Sequence, residues 1–190
     1  MVYDVGLVVG RFQTLHKGHQ SLIDTALKLC DRVYVFIGSA QEYGTERNPL
    51  NIATRIKMVR ACYPDENRVH IYALPDMTDE NDITYDWGRY ILESIDKYIY
   101  KQPELMIYGN DECRSRWFDP KDIEDMAEFI IPRSKLPISA TMLREAMLKD
   151  DRKEWMKWVD PKLHKMYDEL RAELMMVPYY REKAGKSENC

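Results

Sequence analysis

Apolar runs alternate with amphipathic stretches along the 190-residue chain. Residues 5–9, VGLVV, predict a first strand, and residues 21–30 a first helix. The run 32–38, RVYVFIG, is almost continuously apolar and β-branched, as expected of a strand buried on both faces. A polar loop over 39–48 follows. Asn51 is placed to cap a helix through residue 63, with Ile52, Ile56, Met58 and Val59 as apolar positions, and Pro64 ends it. Residues 69–74 predict a third strand and 75–82 an acidic loop. Residues 85–100 predict a helix with Tyr90, Ile91, Ile95, Tyr98 and Ile99 on its apolar stripe. Residues 105–109 predict a fourth strand. Asp119 and Pro120 look like the cap and first residue of a short helix. Residues 129–131 predict a fifth strand. Helices are expected over 139–148, 153–158 and 161–175, and a frayed polar tail after Pro178.

Strands that alternate with helices predict an α/β fold: a Rossmann-like doubly wound parallel sheet of about five strands. The helices near the end of the chain form a C-terminal extension. One domain is expected over residues 1–177, with the tail at 178–190. In such sheets ligands bind outside the carboxyl ends of the strands, at the point where strand order reverses.

Composition narrows the class. The chain is 45% apolar and 32% charged, as in ordinary soluble globular domains. No apolar run approaches the ~20 residues that span a bilayer. The first four residues have no basic flank and no long apolar core, so a cytoplasmic location is expected. The formal net charge is −4, without a basic block, which argues against tracking a nucleic-acid backbone. Cys30, Cys62, Cys113 and Cys190 lie far apart with no C-x-x-C pair, so free thiols are expected rather than zinc or disulfides.

The candidate chemistry sits at two strand-to-helix junctions. The first is Gly10-Arg11-Phe12-Gln13-Thr14-Leu15-His16-Lys17-Gly18-His19, directly after the first strand. The second is Ile138-Ser139-Ala140-Thr141-Met142-Leu143-Arg144, about 120 residues later. A helix start carries unpaired N–H groups and about half a positive charge, so it favours anions. Two imidazoles and Arg11 placed there suit a polyphosphate. Gly18 lets the helix start approach a ligand closely. Ser139 and Thr141 resemble capping hydroxyls, and the Arg144 guanidinium is a planar multidentate donor for phosphate oxygens. His70, His164, Trp117, Trp155 and Trp158 lack such context and are expected to pack.

The two motifs, HxGH and ISxTxxR, resemble the marks of the nucleotidylyltransferase superfamily. The sharper form GRFQ before His16 is similar to the archaeal-type nicotinamide mononucleotide (NMN) adenylyltransferases. So is the loop at Gly38-Ser39-Ala40-Gln41, followed by Arg47-Asn48-Pro49 and an arginine-bearing helix with Arg55. The resemblance covers residues from about 5 to 150. It implies transfer of an adenylyl group from ATP to NMN, giving NAD and pyrophosphate. His16, His19, Arg11 and Arg144 are the implied catalytic groups. Gly10, Phe12, Gly18, Arg47, Asn110, Ser139 and Thr141 are the implied ATP contacts. Trp87 is implied to stack on the nicotinamide ring, where a flat aromatic meets a cationic pyridinium. Magnesium is implied by the polyphosphate. No dedicated carboxylate cage is visible, and the Asp150-Asp151 pair is expected in solvent at a helix end. The implied partners are the two nucleotides and further copies of the chain, with no nucleic acid and no membrane.

Two positions depart from the pattern: Thr14-Leu15 stands where Pro-Phe is usual, and Ala140 where Gly is frequent. Both shape backbone rather than chemistry. Within the superfamily, an alcohol phosphate or phosphopantetheine acceptor is the alternative, although those enzymes usually carry GTFD or GSFD before HxGH. A nucleotide sensor without turnover is a second alternative. An aminoacyl-tRNA synthetase core, which shares an HxGH-type motif, is not expected of a chain this short with no KMSKS-like signal and no basic tRNA surface.

Overall fold

The computed structural model describes residues 1–78, 84–98, 101–110 and 113–187. Five strands form one all-parallel sheet: β1 (Tyr3–Gly10), β2 (Cys30–Ile37), β3 (Val69–Ala73), β4 (Leu105–Gly109) and β5 (Ala127–Ile131). Their spatial order is β3-β2-β1-β4-β5, so the chain reverses direction across the sheet between β1 and β4. On one face lie α1 (Lys17–Leu29), α2 (Ile52–Cys62), α4 (Ala140–Leu148), α5 (Arg152–Trp158), α6 (Tyr167–Met176) and α7 (Pro178–Ser187). The other face is covered by α3 (Asp86–Tyr98) and a 3₁₀ turn at Arg114–Trp117.

Alternation along the strands sorts the core. Val8, Val33, Val35 and Ile37 face α1 and α2, while Val5, Leu7, Val9, Tyr34 and Phe36 face α3. Every residue of β2 from Val33 to Ile37 is 0% exposed, as its unbroken apolar run predicted. Across the α3 face, a Cβ on Gly88 would lie 2.2 Å from the Trp117 carbonyl oxygen, so only glycine lets the two backbones meet there. Among the described residues no helix is long and apolar enough to cross a membrane.

Several boundaries differ from the expectation. α1 begins at Lys17, not at residue 21, because His16 caps it. Asn51 caps α2 as expected, its Oδ1 accepting from the Thr54 amide at 3.0 Å. The segment opened by Asp119 and Pro120 is a chain of turns, in which Asp119 accepts from the amide of Lys121 at 3.1 Å. The expected helix over 161–175 is broken. Asp160 caps a 3₁₀ turn at Pro161–Met166, and α6 starts anew at Tyr167. Residues 99 and 100, including Ile99 of the expected stripe, lie outside the described residues, as does Cys190. Where a frayed tail was expected, Pro178–Ser187 form α7, which opens on a proline, a favourable first helical residue, and buries Tyr180 to 4% exposure. Nor is the Asp150-Asp151 pair merely solvated. Asp150 accepts from the Tyr167 hydroxyl at 2.9 Å, and Asp151 caps α5.

One charged side chain is packed into the core beneath the strand ends. Arg55 of α2 is 0% exposed. It donates to the carbonyls of Gly38 at 2.8 Å and Ser39 at 3.0 Å, and at longer range to Arg11, Glu42 and Asn51. Burial pulls its pKa down to about 10, which still leaves it charged at neutral pH. The guanidinium thus ties the loop after β1 to the loop after β2. Arg55→Met keeps much of the volume but leaves several buried carbonyls without their donor. Each such group costs about 1–3 kcal/mol. Arg55→Met is therefore expected to lower Tm by roughly 6–12 °C, and Arg55→Lys, which has no fork, is expected to recover only part of it. Calorimetric melting of the two variants checks this, and an unchanged Tm for Arg55→Met would refute the tie.

Candidate active site

Parallel strands send the chain out at their carboxyl edge, and β1 and β4 part company there, at Gly10 and Gly109. Two residues just past strand ends, Phe12 (φ 53°) and Ser39 (φ 49°), adopt the left-handed region without being glycine. Such residues cost on the order of 1–3 kcal/mol each and persist only where neighbours over-determine them. Gly38 donates to the Gly10 carbonyl at 3.0 Å, the Ser39 amide donates to Asp76 at 3.1 Å, and Arg55 holds both loops.

Gln13 makes the second tie. Its side-chain amide donates to the Leu50 carbonyl and accepts from the Leu50 amide, both at 2.9 Å. A carboxamide pairs with a peptide group in this two-way fashion because it carries both a donor and an acceptor. Gln13 is 2% exposed, so both bonds are made away from water.

His16 is 3% exposed, and its Nδ1 accepts from the amides of Gly18 at 3.1 Å and His19 at 3.3 Å. With Nδ1 accepting, the neutral ring carries its proton on Nε2. Two of the amides expected to face an anion are therefore taken by the cap. His19 lies in the first turn of α1, half-buried. Its ring stacks on His16 with centroids 3.8 Å apart at 23°, and Phe12 leans on it at 4.9 Å. Gly18 also meets a constraint from within the chain. A Cβ there would sit 2.9 Å from the His16 ring and 3.4 Å from Ile138 Cγ2. Glycine makes room for the cap, and it brings the start of the second motif against the first.

Arg144 joins the motifs directly. It is 8% exposed and donates from Nη1 to the Gln13 carbonyl at 2.6 Å. Nε donates to the Tyr180 hydroxyl at 2.8 Å and Nη2 to Thr141 Oγ1 at 3.1 Å. These bonds use three of the five N–H groups of the fork. Ser139 caps α4, its Oγ accepting from the Met142 amide at 3.2 Å. Arg11 is half-buried after β1, and Arg47 is exposed in the loop after β2. Asn110 is exposed past β4, with its amide donating to the Ile131 carbonyl at 3.2 Å.

Trp87 stands apart. It is half-buried at the start of α3, and its ring contacts among the described residues are Tyr90 at 5.6 Å and Trp117 at 6.4 Å. An open groove of about 710 Å³ lies beside it, lined by Tyr85, Arg116, Trp117 and Phe118. The structure thus gathers His16, Gly18, His19, Gln13, Ser139, Thr141 and Arg144, and leaves Trp87 on the α3 side.

Three residues at this site were not singled out for roles from the sequence. Arg55 had a signal: it lies on the same helical face as Met58, Val59 and Cys62, where an arginine is out of place. Glu173 accepts from Asn51 and Thr54 at the start of α2, and Tyr180 bonds Arg144, but their partners are 36 to 122 residues away. No local pattern marks such pairs.

A cytidylyltransferase-like family model matches residues 7–146. A Picrophilus torridus protein named nicotinamide-nucleotide adenylyltransferase is 29% identical over 163 residues, covering 86% of this chain and 89% of that protein. One of the same name from Saccharolobus solfataricus is 33% identical over 90 residues, 45% of this chain and 50% of that protein. A Francisella tularensis bifunctional NMN adenylyltransferase/ADP ribose pyrophosphatase, solved with AMP and a manganese ion, superposes with a TM-score of 0.67. At 21% identity it covers 98% of this chain and 53% of that one, which establishes the shared fold. With three quarters of its length in the family model and both motifs meeting at the switch point of the sheet, the chain belongs to the cytidylyltransferase-like family of nucleotidyltransferases.

Proposed function

We propose that the chain transfers the adenylyl group of ATP to NMN, forming NAD and releasing pyrophosphate. The bond from Arg144 to the Gln13 carbonyl carries this reading, because it joins the two motifs through residues 131 apart in the chain. The names of the archaeal relatives support the acceptor.

The nucleophile is the phosphate of NMN, already an anion near neutral pH. Its oxygen attacks the α-phosphorus of ATP, and the bond to the β-phosphate oxygen breaks as pyrophosphate leaves. No strong base is required. The work is to hold two anions together and to stabilise charge as it moves toward the leaving group. His19 donates to an α-phosphate oxygen, its ring oriented by Phe12 and His16. His16 contributes as the cap that sets the first turn of α1. Arg11, Arg47, Arg144 and the Ser139–Thr141 turn receive the remaining phosphate oxygens. Among the described residues no group of three or more His, Cys, Asp or Glu is arranged to hold a metal. Magnesium would enter with the ATP phosphates, whose charge it would help to neutralise.

Pyrophosphate release with ATP and NMN, nicotinic acid mononucleotide, glycerol 3-phosphate or phosphopantetheine tests the reaction and its acceptor. Turnover with NMN supports the reading, and turnover only with one of the last two defeats it. His19→Ala is expected to lower kcat by about 10²–10³ with a smaller change in KM for ATP, since its contact strengthens as charge develops. Turnover within twofold of the parent would remove His19 from the chemistry. Trp87→Ala is expected to raise KM for NMN several-fold, worth on the order of 1 kcal/mol, and to spare KM for ATP. A Trp that only packs behaves otherwise: its loss costs about 3–5 kcal/mol of stability and shifts neither KM selectively. Both KM values and Tm, taken on one preparation, separate the two.

A further inference from the structure

The helix that ends the described chain reaches back into the site. Tyr180 lies in the first turn of α7 and is 4% exposed. Its hydroxyl accepts from Arg144 Nε at 2.8 Å and donates to the Glu46 carbonyl at 2.7 Å. Glu46 directly precedes Arg47 in the loop after β2. Local bonds also shape this end of the loop, among them those from Gly44 to Pro49 and from Thr45 to Asn48. One phenol therefore touches two segments that each carry a candidate phosphate-binding arginine.

We infer that Tyr180 is a positioning residue, whose hydroxyl sets the Arg144 fork and the Arg47-bearing loop in one arrangement for the phosphates of ATP. The inference rests on the adenylyltransferase reading for the identity of the nucleotide. The physical ground is the geometry of the guanidinium. Gln13 and Thr141 each hold a terminal nitrogen, and Tyr180 holds Nε, so the plane of the fork is fixed by three acceptors. Remove the third and the plane can tilt about the Nε–Cζ end of the side chain. The same loss frees the Glu46 carbonyl, and with it the backbone next to Arg47. Burial pushes the phenol pKa up, so the hydroxyl keeps the proton it donates to Glu46.

Tyr180→Phe isolates the hydroxyl, because the ring that packs against the core is kept. The full chain and this variant are compared by calorimetric titration with ATP in magnesium buffer, by kcat and both KM values, and by Tm. The dissociation constant and KM for ATP are expected to rise about three- to tenfold, in the range for the net loss of one ordinary hydrogen bond. Tm is expected to move by only a few degrees. In an Arg144→Lys background the same Tyr180→Phe change is expected to weaken ATP less than in the wild type, since the part that acts through Arg144 is already lost and only the part through the Arg47 loop remains. Unaltered ATP affinity in Tyr180→Phe, or an equal loss in both backgrounds, would overturn the inference and leave Tyr180 as a packing residue. The wild-type chain separates this from the proposed reaction. ATP binding without turnover on NMN would defeat the acceptor assignment while the titration still judges Tyr180. A wild-type chain that bound no ATP would overturn both.

Discussion

The site depends on a buried guanidinium. A parallel sheet points the chain out of its carboxyl edge, and the loops that turn away there leave carbonyls with no neighbouring strand to pair with. In a dry region each of those acceptors needs a donor. Arg55 supplies them from below, with bonds to both loops that leave the switch point. An ammonium would serve this purpose poorly. Its donors are not held in a plane, and it is more strongly hydrated than the delocalised fork. The desolvation of Arg55 is offset by its bonds to the two loops, which carry the left-handed turns at Phe12 and Ser39.

A second arginine repeats the device one layer out. Arg144 donates to the Gln13 carbonyl, and Gln13 holds Leu50, so the loop after β1, the start of α2 and α4 form one connected polar network. Satisfied networks of this kind specify a single arrangement, and a half-satisfied one is worse than an apolar core. This changes what the motif residues are for. His16 and Gly18, read from the sequence for ligand contact, also shape the start of α1. His19 is the residue that the shaping presents.

The sheet was legible because its signals are local. An unbroken β-branched run marks a strand buried on both faces, and 32–38 is such a run. Helix stops at proline and the Asn51 cap were legible for the same reason. The start of α1 was missed because histidine is not among the usual capping residues, although a neutral imidazole nitrogen accepts amide bonds as an Asn oxygen does. The segment at 119–125 has the composition of a helix start, but no apolar stripe follows to hold one. The α7 helix was read as a tail because most of its residues are polar, and a single buried tyrosine makes no periodic pattern. The two motifs meet in the structure, while the bonds that join them run between residues tens to more than a hundred positions apart.

Those long bonds give the C-terminal helices a common logic. Lys17 donates to the Lys157 carbonyl at 2.7 Å, and Gln20 to Asp160 at 3.0 Å, which fixes the start of α1 against the end of α5. Glu173 of α6 accepts from the Asn51 amide at 2.6 Å and from the Thr54 hydroxyl at 2.7 Å, which fixes the start of α2. Tyr180 of α7 fixes α4 and the loop after β2. Each successive helix thus meets a different segment of the site, and meets it at a terminus or a loop, where backbone groups lack partners of their own. The β-sheet decides where these segments emerge. Short polar loops emerging from one sheet edge would otherwise sample many arrangements, at about 1–2 kcal/mol of backbone entropy per residue that must be fixed. Helices that return over the same face remove that freedom before any nucleotide arrives, so less of a ligand's binding energy is spent on ordering the site and more remains for the reacting phosphates.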